Sequence, residues 1–283
     1  MHSILFEIGP LTIHTYGVMM ALGFLLGLGS WTLLARREGR DFAFCSDLLF
    51  WIMVTGILGA RAAYVMTEWS YFAAHPLEIV RVDRGGLVYY GGMLSAGLAL
   101  VVFARRRRIA LPALMDFVIT AVPLGHALGR VGCFLNGCCY GARFDGPWAV
   151  RFPAQSLPWE DELHAGLIGP GAPMSLPLHP VQLYESALNL AVFALLAWHY
   201  RRQRVHDGQT LALYLLTYPL GRLALEFLRG HEQVWVGVLT DAQVVSLGLL
   251  GVGLLLALRA ARRKRACASS PPPPKPASGP TAG

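Results

Sequence analysis

Arginine clusters close every second long apolar run in this chain, and that pattern constrains its fold more than any other feature. Apolar runs cover residues 16–34, 48–66, 91–104, 111–128, 182–199, 211–227 and 244–258. Arg36, Arg37 and Arg40 follow the first, Arg105 to Arg108 the third, and Arg201, Arg202 and Arg204 the fifth. Arg259, Arg262, Arg263, Lys264 and Arg265 follow the seventh. Basic residues are retained on the cytoplasmic side of short membrane loops. The alternation therefore predicts about seven transmembrane helices, with the N-terminus outside and the C-terminus in the cytoplasm. The third run is short for a crossing of about 20 residues, and Val88 to Tyr90 extend it.

Composition agrees with an all-α integral membrane protein. Hydrophobic residues make up 54% of the 283 and charged ones only 14%, against roughly 25% charged in soluble domains. A net charge of +7 would ordinarily suggest nucleic acid, but the basic residues sit beside apolar spans, so they report topology and no nucleic-acid partner is implied. Met1 to Thr15 lacks a basic leader region and carries Glu7, which predicts an uncleaved, exported N-terminus. The expected division is a transmembrane domain over 1–265, with a Pro/Gly-rich outer-side insert at 142–177. A disordered cytoplasmic tail, rich in proline at Pro271 to Pro274, is expected over 266–283.

Several polar residues then fall where a bilayer tolerates them poorly. His126 and Arg130 are four residues apart and share a helix face. They lead into a Gly-rich stretch with Asn136, Cys133, Cys138, Cys139, Tyr140 and Gly141. Tyr218, Arg222 and Glu226 line one face of the sixth run. Gln182, Tyr184 and Glu185 open the fifth, Arg61 and Tyr64 lie in the second, Tyr16 begins the first, and Tyr90 stands at the entrance to the third. Taken singly, each has an ordinary explanation as an interfacial residue or intrahelical ion pair. Together they predict a shared cavity in the outer half of the membrane, because intramembrane charge costs roughly a few kcal/mol and is usually functional.

Two arginines suit a phosphate, which guanidinium binds through paired hydrogen bonds. Without a nucleotide-loop signature, the expected phosphate is a phospholipid headgroup. The sequence shows no Ser-His-Asp pattern and no Gly-x-Ser-x-Gly elbow, and His179 stands alone as a zinc ligand. Transfer to an incoming nucleophile is thus favoured over hydrolysis, and no metal or organic cofactor is called for. The competing reading is a transporter or channel for an anionic or phospholipid-like solute, which predicts internal repeats that the two halves do not display. A scaffold with purely structural arginines is a third reading.

The chain resembles the bacterial phosphatidylglycerol–prolipoprotein diacylglyceryl transferases. The similarity rests on Gly129-Arg130-Val131-Gly132-x-Phe134-Leu135-Asn136-Gly137-x-x-Tyr140-Gly141, on His179-Pro180-x-Gln182-Leu183-Tyr184-Glu185, and on Tyr218-x-x-x-Arg222-x-x-x-Glu226-Phe227-x-Arg229. It implies transfer of the sn-1,2-diacylglyceryl group of phosphatidylglycerol to the lipobox cysteine of a prolipoprotein signal peptide, giving a thioether and glycerol 1-phosphate. It also implies a multi-pass location in the bacterial inner membrane, among membrane lipids. Arg130 and Arg222 would hold the phosphate, while Tyr16, Tyr218, Asn136 and Gly141 occupy signature positions. Tyr90 stands where some members carry a histidine, and a phenol of pKa about 10 is a poor base; His126, with Glu226 second, is the candidate proton acceptor, or His126 only orients Arg130. Cys133, Cys138 and Cys139 also depart from other members. Their spacing admits a disulfide or a soft-metal site, both ranked below simple packing.

Overall fold

The structure, a computed structural model, describes residues 4–8, 11–81, 85–229, 234–236 and 239–269. A short antiparallel hairpin, β1 (Ile4–Ile8) and β2 (Leu11–His14), pairs Glu7 with Thr12 and leads directly into α1 (Thr15–Ala35). Then come α2 (Phe42–Thr67), the short α3 (Trp69–Ala74), α4 (Tyr89–Arg107), α5 (Leu111–Ile119) and α6 (Val122–Asn136). The insert contributes α7 (Leu157–His164), followed by the long α8 (Val181–Arg202) and α9 (Gln209–Glu226). A second small hairpin, β3 (Val234–Val236) with β4 (Leu239–Thr240), precedes α10 (Asp241–Ser269). The two hairpins amend the all-α expectation. Of the tail, 266–269 continue α10, and the proline-rich remainder lies outside the described residues.

Among the described residues, five helices are long and apolar enough to cross a membrane: Thr15–Glu38, Phe42–Thr67, Leu111–Asn136, Val181–Arg202 and Asp241–Ala261. The other two expected crossings form α4 and α9, helices of 19 and 18 residues. They are less apolar because α4 opens on Tyr-Tyr-Gly-Gly and ends on arginines, while α9 contains Pro219, Arg222 and Glu226.

The fourth run departs from expectation. The helix breaks at Thr120, whose hydroxyl bonds back to the Phe117 carbonyl at 2.7 Å, and restarts with Pro123 in its first turn. It then runs through the Gly-rich stretch to Asn136, where Gly137 in the left-handed region (φ 74°) ends it. Gly125 and Gly132 therefore serve close packing against α1. A Cβ on Gly132 would lie 3.0 Å from the Tyr16 ring, and one on Gly23 would lie 3.3 Å from the Gly125 backbone.

Small residues join the helices elsewhere too, as expected where lipid supplies no hydrophobic drive between spans. Gly56, Gly59, Ala60 and Ala63 of α2 meet Gly91, Gly92 and Ser95 of α4 so closely that a Cβ on Gly91 would collide with Ala63. Ser95 Oγ also bonds the Thr55 carbonyl across the seam at 2.8 Å.

The bundle has two chemically different ends. At one, Arg107 meets Asp47 at 2.6 Å, Glu38 accepts from Tyr200, and buried Asp116 caps α9 through the amides of Gly208 and Leu211, each at 2.8 Å. The arginine clusters after α1, α4 and α8 gather here over an aromatic core that includes Trp31, Phe44, Phe103 and Phe117. The C-terminal ends of α2, α6 and α9 and the N-terminal ends of α8 and α10 lie at the other. The insert folds over that second end. Glu162 accepts the Leu176 amide at 2.8 Å, Trp159 Nε1 donates to Ala172 at 2.8 Å, and the Tyr140 hydroxyl reaches Asp161 at 2.7 Å.

Candidate active site

At the insert-covered end, α6, α8 and α9 bring their polar faces together. Glu185, buried in the first turns of α8, is the hub. Its Oε2 lies 3.0 Å from Arg130 Nε, and its Oε1 lies 3.4 Å from His126 Nε2 and accepts the Tyr218 hydroxyl at 3.1 Å. One carboxylate thus ties together three residues from two other helices. The Arg130 N–H is not aimed along a hydrogen-bond direction despite the short approach, so the pair is held by charge and the guanidinium keeps donors for another acceptor.

Arg222 is balanced separately. Its Nη1 pairs with Glu226 one turn on, and Glu226 Oε1 accepts from Thr240 Oγ1 at 3.0 Å. His126 and Tyr218 lie within electrostatic range of both Arg130 and Arg222. Their own rings are 5.4 Å apart, and Tyr214 stacks on Tyr218 at 5.5 Å. Two guanidinium groups, Arg222 buried and Arg130 half-buried, each with its own carboxylate, therefore flank a shared imidazole–phenol pair.

The remaining expected residues divide. Tyr16 packs on Gly132 near Arg130 and stays partly exposed. Gln182 donates to the Cys138 carbonyl at 2.7 Å and secures the loop after α6. Gly141 is wedged between His179, Leu228 and Val181, where any Cβ would lie 2.7 Å from each, and its amide bonds His179 at 3.0 Å. Asn136 is the last residue of α6. Tyr184 turns to His179 at 3.2 Å, away from Glu185.

Two expectations are not met. Tyr90 is more than half exposed and shows a ring contact with Tyr89 at 5.6 Å, not a place among the cluster. Arg61 is buried, but its guanidinium donates to the carbonyls of Glu78 (2.5 Å), Ile79 (2.8 Å), Gly85 (3.1 Å) and Gly86 (3.2 Å). It lies over Tyr64 and Phe72 and clamps the α3–α4 connection, with four of its five N–H donors committed to backbone carbonyls.

Sequence reasoning missed Ser186, Asn189, Tyr214 and Thr240. Gln182, Glu185, Ser186 and Asn189 follow the i, i+3, i+4, i+7 spacing of one helix face, a stripe that could have been read. All four are buried, Ser186 bonds the Ala127 carbonyl at 3.0 Å, and Asn189 bonds its own helix at Glu185. Thr240 carried no local signal, since it meets Glu226 only through the turn into α10.

The family model described as prolipoprotein diacylglyceryl transferase matches residues 3–259. The chain belongs to the prolipoprotein diacylglyceryl transferase family. Its relatives include the phosphatidylglycerol–prolipoprotein diacylglyceryl transferase of Synechococcus elongatus, 37% identical over 89% of this chain and 84% of that protein. A second enzyme of that name from Clostridium perfringens is 32% identical, covering 90% and 94%, and one from Bordetella avium is 33% identical, covering 90% and 93%. Members of this family across several bacterial groups thus align with nearly the full length of the bundle, including all the helices that carry the Glu185 cluster. The anion-transporter reading finds no support in this assignment.

Proposed function

We infer that this protein transfers the diacylglyceryl group of phosphatidylglycerol to a prolipoprotein cysteine. The observation that carries the site assignment is the pairing of Arg130 and Arg222 around His126 and Tyr218, each guanidinium held by a single carboxylate. In the reaction, the cysteine sulfur attacks the sn-3 carbon of the diacylglyceryl group. The bond from that carbon to the phosphate oxygen breaks, and its electrons stay with the departing glycerol 1-phosphate. A phosphodiester with one negative charge becomes a phosphomonoester that can carry two. Charge grows on the leaving group, so guanidinium groups beside it stabilise the transition state more than the bound lipid.

The thiol proton must leave as the thioether forms. His126 fits this role because Glu185 lies beside its Nε2, so a carboxylate steadies an imidazole that gains charge. Glu226 fits less well, being engaged by Arg222 and Thr240. Tyr16, Asn136 and Gly141 would shape the headgroup pocket, and Tyr90, exposed in the first turn of α4, would meet an incoming substrate.

The site sits at the bundle end opposite the gathered arginines. Placing those arginines in the cytoplasm gives seven crossings, with α4 and α9 completing the five strongly apolar spans, an exported N-terminus and an extracytoplasmic active site in the inner membrane. Phosphatidylglycerol would enter sideways between helices, and the signal peptide would dock as a helix with its lipobox cysteine near the outer leaflet.

The test is a transfer assay with purified protein, phosphatidylglycerol vesicles and a lipobox peptide. Wild type should add the mass of one diacylglyceryl group to the peptide thiol and release glycerol phosphate. Arg222→Ala should lose both while remaining folded in detergent. Folded wild type that yields neither product would refute the reading.

A further inference from the structure

We propose that Cys133, Cys138 and Cys139 form a binding site for one soft, thiophilic d10 cation, Zn2+ or Cu+. Their three Sγ atoms lie within 4.8 Å of one another, and the thiols are free. Among the described residues this is the one place where three His, Cys, Asp or Glu donors converge in this way.

The backbone builds the cluster. Cys133 is on the last turn of α6, Gly137 reverses the chain, and the Cys138 amide bonds the Cys133 carbonyl at 3.1 Å. Cys139 then takes a left-handed conformation (φ 59°), uncommon for a residue with a Cβ, and its sulfur joins the other two. From α8, Gln182 holds the Cys138 carbonyl at 2.7 Å, so the loop is fixed on both sides.

The chemistry suits a soft ion. A metal–sulfur distance of about 2.3 Å requires sulfurs roughly 4 Å apart, so the cluster needs to tighten by under about 1 Å. Thiolates select Zn2+ and Cu+ over hard cations. Three thiolates around either ion leave net negative charge, and Arg130 and Arg229 lie within electrostatic range of Cys139 to offset it. Binding exchanges the thiol protons for the ion, without any change in sulfur oxidation state. An ion here would pin residues 137–141, and with them Gly141 in its socket under Leu228.

The experiment uses full-length protein in detergent carrying Cys45→Ser and Cys267→Ser, so that the remaining thiols are these three. Reduced protein is loaded with Zn2+ or, under reductant, with Cu+, freed of excess and assayed for metal per chain. One ion per chain is expected, together with a rise in thermal midpoint. Serine at 133, 138 or 139 should abolish both effects. A four-coordinate Co2+ thiolate spectrum would favour Zn2+ with a fourth ligand, whereas retention of Cu+ alone would favour three-coordination. Only trace metal in the reduced protein, equal metal in the triple serine variant, or a disulfide that persists under reductant would overturn the proposal. None of these readouts depends on transferase activity.

Discussion

Arg130→Ala should damage the protein in two ways that can be separated. The substitution removes the guanidinium 3.0 Å from Glu185 and leaves that carboxylate, whose side chain is only 4% exposed, facing His126 and Tyr218. Removing one partner of a buried ion pair typically destabilises by about 3–5 kcal/mol, because the other charge stays buried without compensation. Glu185→Gln in the same chain removes the stranded charge, and the amide oxygen can still accept from Tyr218. The double variant should therefore regain most of the lost stability, about 2–4 kcal/mol. Activity should not return, since the donor that meets charge on the departing phosphate is still missing; loss of one such donor costs roughly 10²–10³ in rate. Thermal unfolding in detergent measures the first effect, and peptide mass spectrometry in the transfer assay measures the second. Transfer that recovers in step with stability in the double variant would show that Arg130 serves the fold and would refute the reasoning.

Three other outcomes follow from the same geometry. Gly141→Ala places a Cβ 2.7 Å from His179, Val181 and the Leu228 carbonyl; overpacking of this kind costs about 1–3 kcal/mol, and a lower thermal midpoint with slower transfer is expected. His126→Gln should slow transfer by roughly 10²–10⁴ if His126 accepts the thiol proton, with partial recovery above pH 8.5, where the free thiol ionises unaided; an unchanged rate would remove His126 from that role. Arg61→Ala should free Glu78, Ile79, Gly85 and Gly86 from their clamp and raise protease sensitivity there, while Arg61→Lys rescues only partly because an ammonium cannot span four carbonyls. Equal sensitivity in Arg61→Ala and wild type would argue that the loop is held by other contacts.

The helical frame was readable because long apolar runs and the arginines that end them act locally. The placement of Arg130, His126, Tyr218, Arg222 and Glu185 in one cluster was readable for a related reason: helix periodicity fixes the face, and expensive charges in a membrane have few places to go. What escaped notice depended on partners distant in sequence. Arg61 looked like a substrate ligand because its charge is evident from the chain, but the carbonyls that satisfy it lie 17 to 25 residues onward in an irregular connection. The break at Thr120 was hidden inside a continuous apolar run; beyond it, α6 packs its glycines against α1.

The glycines at 125, 129 and 132 illustrate the same limit at the site itself. Read alone, glycine spacing beside an arginine suggests a flexible turn around a ligand. In the bundle, Gly132 accepts the ring of Tyr16, Gly125 accepts the backbone at Gly23, and the helix continues unbroken to Asn136. Arg130 is consequently fixed on a rigid element rather than carried on a loop. This matters for chemistry in which the arginine must already be in place when charge develops. The flexible role falls instead to Gly137, whose left-handed backbone ends the helix and turns three cysteines toward one another one turn beyond the arginine. A single signature thus contains a rigid half that positions the guanidinium and a turned half that gathers sulfur, and the boundary between them is the residue whose φ only glycine adopts without strain.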